Sequence, residues 1–151
     1  PLYFFGMPSQ MKATTDRCLP FMLPYMGNLV EDKNASFHEL RDESMHEKRL
    51  VVITTCGYVD EKPMYPALLK QLDLIAGEGH YTAILCPEGE LFIADKAKRQ
   101  REGYLAEITR AGAEFAQNRA LSEETKKRIA KPILSPKGFE TITLAHWGMN
   151  K

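Results

Sequence analysis

The chain has 151 residues, one domain's worth, and its 44% hydrophobic content is enough for a real core. Twenty Lys and Arg balance twenty Asp and Glu, so net charge offers no argument for nucleic acid or an anionic membrane surface as a partner. The apolar runs are far too short to span a bilayer, no signal peptide is visible, and Cys18, Cys56 and Cys86 form neither an even set nor a metal-ligand spacing, which predicts a soluble cytoplasmic protein with reduced thiols and no metal site.

In chain order, Pro1-Leu2-Tyr3-Phe4-Phe5-Gly6 reads as the last residues of a strand followed by a turn. From Ser9, a candidate cap, the pattern becomes helical, with Met11, Thr15, Cys18, Leu19 and Met22 at spacings of three and four. Pro20 and Pro24 end that helix near Tyr25-Met26-Gly27. Residues 28–49 are polar and charged, a long connection with a short helix near His38-Glu39-Leu40; His38 and His46 lack a ligand pattern and read as solvent-facing.

Leu50-Val51-Val52-Ile53 then runs without polar alternation into Thr54-Thr55-Cys56-Gly57-Tyr58. Such a run suits a strand buried on both faces of a parallel sheet, and its small-residue end is where backbone amides in such folds approach a ligand. Residues 59–65 form a charged lip. Pro66 opens a helix whose apolar stripe is Leu68, Leu69, Leu72, Ile75 and Ala76, stopped by Gly77 and Gly79. Tyr81 to Cys86 is a second buried-type strand, parallel to the first because a helix crosses between them, and Pro87-Glu88-Gly89 is its terminal turn. Residues 95–119 read as a long amphipathic helix with Tyr104, Leu105, Ile108, Gly112, Phe115 and Ala116 inward; its basic run Lys96, Lys98, Arg99 and Arg101 reads as a solvated face, with binding of a nucleotide phosphate as the lesser alternative. Ser122 caps a further helix that Pro132 ends, Ser135-Pro136-Lys137-Gly138 reads as a turn, and residues 139–147 fit either a short helix or an extended arm. The fold class is therefore α/β, a parallel sheet with helices on both faces.

Residues Pro1 to Arg17, with a Pro-Leu-Tyr turn, a Met/Ser-rich loop, Lys12 and the Asp16-Arg17 pair, resemble the signature of the flavodoxin-like NAD(P)H-dependent FMN reductase family, whose wider membership includes iron-sulfur flavoproteins. Val51 to Tyr58 resembles that family's fourth strand and its flavin loop, and the likeness continues more weakly to about Thr125. The resemblance implies an FMN-dependent oxidoreductase that takes hydride from NADH or NADPH and passes electrons to a quinone, free flavin or another acceptor. It implies that flavin is held by Pro1, Leu2, Tyr3, Phe4, Phe5, Gly6 and Met7 on one loop and by Thr54, Thr55, Cys56, Gly57 and Tyr58 on the other. An isoalloxazine ring is a flat amphipathic plate, so Tyr3, Phe4, Met7 and Tyr58 would meet its face and amides beside Gly6 and Gly57 its polar edge. No catalytic acid or base is required, because the cofactor carries the chemistry.

Against that family's strand order, 2-1-3-4-5, the chain is the later, C-terminal portion of one domain, lacking the first two βα units and the turn that cradles the FMN phosphate. Upstream residues or another copy are expected to complete it, and the resemblance implies a homodimer or homotetramer. The alternative is a non-catalytic truncated flavodoxin-like module acting in oligomerisation or as an electron-carrier piece.

Overall fold

The computed structural model describes residues 1–23, 40–60 and 62–149, without the side chains of residues 43 and 46. The order of its regular elements is α1 (Ser9–Arg17), β1 (Leu50–Thr55), α2 (Pro66–Ala76), β2 (Tyr81–Cys86), α3 (Lys98–Asn118), α4 (Glu123–Ile129) and α5 (Pro136–His146), with short 3₁₀ turns between several of them. The class is mixed α/β, with β1 and β2 forming a two-stranded parallel sheet among the described residues. The expected ends of the helix at 25–27 and the short helix near residue 38 lie outside the described residues.

The chain divides into two compact units, one made of Pro1–Val52 and Tyr65–Ala83, the other of Ile53–Met64 and Ile84–Lys151. The division passes through the middle of both strands.

In the first unit α2 follows its sequence pattern closely. Pro66 stands in its first turn, Leu68 and Leu72 are buried, and Gly77 ends it at φ 88°, a conformation that costs glycine little. The Tyr81 hydroxyl, at the start of β2, lies 2.8 Å from Asp73 Oδ1 and 3.2 Å from the Leu69 carbonyl, so the crossover helix is tied to the strand it leads into. Burial and the Asp73 carboxylate beside it hold the Tyr81 phenol well above its ordinary value.

Three readings are corrected in this unit. Ser9 does not cap α1: Pro8 occupies the cap position and Ser9 is already helical, its hydroxyl donating to Gln10 Oε1. The helix stops at Arg17, short of the prolines, and a 3₁₀ turn over Leu19–Phe21 takes Pro20 at its start. Residues 1–3 are not a sheet strand. Among the described residues Tyr3 bridges only to Gly6, whose amide donates to the Tyr3 carbonyl at 3.0 Å, so the chain folds back on itself at Phe4-Phe5.

The second unit is built around Leu91, Ala94, Ala97 and Phe139, with Val59, Ile133, Leu134 and Ile142 packed on them. Here α3 turns inward only part of the face that hydrophobicity indicates. Tyr104 and Ala111 are buried and Ile108 and Phe115 half-buried on the same face, whereas Leu105, Gly112 and Ala116 are exposed. The reason is the chemistry of the facing helix. Glu114 accepts from the Ser122 amide at 2.6 Å and from the Thr125 hydroxyl, while Glu107 pairs with Arg128 at 3.5 Å. The inward stripe is therefore partly polar, and a stripe chosen by apolar residues alone shares Tyr104, Ile108 and Phe115 with it but is offset to one side. Ser122 caps α4 by accepting from the Thr125 amide, as its sequence predicts. Ser135 does the same for α5 by accepting from Gly138, with Pro136 at the first helical position. The expected turn at 135–138 is thus a helix start, and residues 139–146 are helical.

Candidate functional site at the strand ends

The loop after β1 is positioned by backbone pairing. The Cys56 amide donates to the Cys86 carbonyl at 3.1 Å, which carries the pairing of the strands one residue past β1. The loop after β2 then crosses it: the Glu88 amide donates to the Tyr58 carbonyl at 2.9 Å and the Gly89 amide to the Cys56 carbonyl at 2.6 Å. A β-carbon on Gly89 would lie 2.9 Å from that same carbonyl oxygen. Gly89 is therefore the glycine that close backbone approach demands here. Gly57 is not, since a β-carbon there meets only the Glu90 side chain, Oε1 at 3.5 Å and Cγ at 3.9 Å, in ordinary contact.

Burial along this segment alternates. Val52, Thr54 and Cys56 are buried, but Ile53, on the opposite face, is 61% exposed. The expectation of a strand covered on both faces fails for that reason: an apolar run records hydrophobicity, not which neighbours arrive to cover it. Thr55 is half-buried, and Gly57 and Tyr58 stand open to solvent. Among the described residues the amides of Gly57 and Tyr58 donate to no acceptor. The strand end thus presents two backbone donors beside an exposed phenol ring.

Two residues that the sequence reading did not place here also belong to this site. Glu90 lies over Gly57, and its Oε2 accepts from the indole Nε1 of Trp147 at 3.2 Å. Trp147, the residue that caps the end of α5, also meets His146 edge-to-face, with ring centroids 5.4 Å apart. Nothing in sequence spacing pairs positions 90 and 147.

Beneath the site, Glu88 is fully buried and adopts a left-handed φ of 57°. Its carboxylate accepts from the amides of Ile133 and Leu134, pinning the 132–134 turn under the strand ends. Burial pushes the Glu88 carboxyl up from its ordinary value, against the opposing pull of those two amides.

Pro1, Leu2, Tyr3, Phe4, Phe5, Gly6 and Met7 belong to the first unit, and Thr54, Thr55, Cys56, Gly57 and Tyr58 to the loop and strand end in the second. Within the first unit Tyr3, Phe4 and Phe5 are exposed, Phe4 completely, and Met7 sits 4.0 Å from the Thr15 hydroxyl of α1. The Gly6 amide closes the turn and is not available to a ligand there. Lys12 and Asp16, both part of the motif, pair with each other on the wall of a cavity of about 460 Å³ that also takes in Leu19, Met22, Leu74 and Ile75.

A flavin ring asks for backbone donors at its polar edge and a flat side chain for its face, and the loop after β1 supplies both kinds of group. None of the cysteines is in a disulfide, and no group of His, Cys, Asp or Glu among the described residues could hold a metal. No helix among them is long and apolar enough to cross a membrane. No protein-family model matches the chain, and neither the curated proteins nor the solved structures contain a match to it.

Proposed function

We propose that the chain is the C-terminal portion of a flavodoxin-like, FMN-dependent NAD(P)H oxidoreductase, with the ring of the cofactor seated at the carboxyl end of β1. The observation that carries this reading is the pair of unengaged amides at Gly57 and Tyr58, standing where parallel strands end and next to an exposed Tyr58 ring. When bound, FMN would accept hydride from NADH or NADPH and pass the electrons to an acceptor such as a quinone or free flavin. This chain's own residues would orient the ring, donate to its carbonyl edge and shield one face of it.

The exposed Tyr3, Phe4, Phe5, Leu19 and Phe21 of the first unit support association with a second copy, as a homodimer or homotetramer. Cysteines outside disulfides suit a reducing, cytoplasmic setting.

The test is a titration of the purified protein with FMN, followed by anaerobic addition of NADH or NADPH. The expected result is a perturbed flavin absorption band that bleaches when the nicotinamide is added. A protein that leaves the FMN spectrum and fluorescence unchanged overturns the proposal.

A further inference from the structure

Resting on the flavin reading, we infer that Glu90, held by Trp147, is the acceptor at the centre of the ring site, and that the group recognised there is an imide edge. The argument begins from what the turn offers. Gly57 and Tyr58 each present an amide donor with no acceptor among the described residues. Glu90 lies over the same turn, with Oε1 3.5 Å from the place where a Gly57 β-carbon would stand. Its other oxygen, Oε2, is engaged by the Trp147 indole at 3.2 Å, and among the described residues Oε1 accepts from nothing.

The inventory at the turn is two donors and one acceptor. An imide, O=C–NH–C=O, carries two acceptors and one donor, and is the complement of that set. The pyrimidine ring of a flavin ends in such an edge. Tyr58 and Trp147, 54% and 58% exposed, add flat surface to the same site.

The Trp147 bond gives the carboxylate its direction. Without it, a half-exposed glutamate would sample several rotamers, and fixing one of them on binding costs entropy. Trp147 is thus a positioning residue, while Glu90 touches the ligand.

The test compares FMN with FMN methylated at the ring imide nitrogen, which keeps the ring and loses the N–H. Binding of each is followed by flavin fluorescence in the wild-type protein, Glu90→Ala, Glu90→Gln and Trp147→Phe. Wild type should bind the methylated flavin about 10-fold or more weakly, the worth of a hydrogen bond to a charged group. Glu90→Ala should bind both flavins alike. Glu90→Gln, whose side-chain carbonyl still accepts, should retain part of the discrimination, and Trp147→Phe should reduce it while leaving the thermal midpoint nearly unchanged. Wild type binding both flavins equally, or Glu90→Ala and Trp147→Phe discriminating as strongly as wild type, overturns this inference and leaves the flavin reading standing. Wild type binding neither flavin overturns both.

Discussion

Among the turns that place residues other than glycine at positive φ, two are supported in opposite ways. At the Tyr3–Gly6 turn, Phe4 and Phe5 take φ of 46° and 63°; at the end of β2, Glu88 takes 57°. Such a conformation costs an L-residue about 1–2 kcal/mol, because its β-carbon crowds the following carbonyl. Phe4 is fully exposed, and its turn is closed by the Gly6 amide on the Tyr3 carbonyl at 3.0 Å. Glu88 is fully buried, its amide is on Tyr58 and its carboxylate is on Ile133 and Leu134. A strained backbone persists when its surroundings over-determine it. At Glu88 contacts distant in sequence do so, whereas at Phe4 a local hydrogen bond acts almost alone.

The largest effect should come from removing the tertiary support. Glu88→Ala leaves the half-buried amides of Ile133 and Leu134 without an acceptor, at up to about 1–3 kcal/mol each. A loss of several kcal/mol in urea unfolding is expected; a loss below about 1 kcal/mol would mean that water replaces the carboxylate and that the turn is not over-determined. The same residue has a pH signature. Since burial raises its folded value above the unfolded one, its contribution is fully present below the unfolded carboxyl range and is lost as pH rises through the folded value. Stability of wild type relative to Glu88→Gln should therefore fall as pH is raised from acid towards neutral. A difference that stays flat would contradict the assigned direction.

Next in size is Gly89→Ala. The new β-carbon would lie 2.9 Å from the Cys56 carbonyl oxygen, so backbone must shift, at about 1–3 kcal/mol for an overpacked site. Gly57→Ala, with ordinary contact only, should be close to neutral in stability. Equal losses at the two positions would show that the strand-end crossing is looser than its geometry indicates.

The smallest effect belongs to the exposed turn. Phe4→Asn removes no buried surface and replaces a bulky residue by one that adopts left-handed φ readily, so thermal unfolding should report a gain of up to about 1 kcal/mol. A clear loss would reveal that the Phe4 ring is packed against something in solution, as association with a second copy would make it.

The same contrast separates what local pattern reveals from what it conceals. The β-strand at Leu50–Thr55, the helix at Pro66–Ala76, the strand at Tyr81–Cys86 and the Ser122 cap were legible because each rests on neighbouring residues: an apolar run, a proline at a helix start, a serine three residues before the amide it binds. Ser135 carried the same signal, and its helix start was misread as a turn because proline and glycine flank it. The strand-end loop was legible as a loop, and its small residues marked it as a place for amides. Which glycine matters there was not legible, since Gly89 meets Cys56 only once the two strand ends cross. The polar stripe of α3 was hidden too, because Glu107 and Glu114 turn inward towards partners on α4. Glu88, Glu90 and Trp147 were concealed most completely. Their partners stand 45, 46 and 57 residues apart in sequence, and side chains that distant meet only when the packed core at Leu91 and Phe139 brings their segments together.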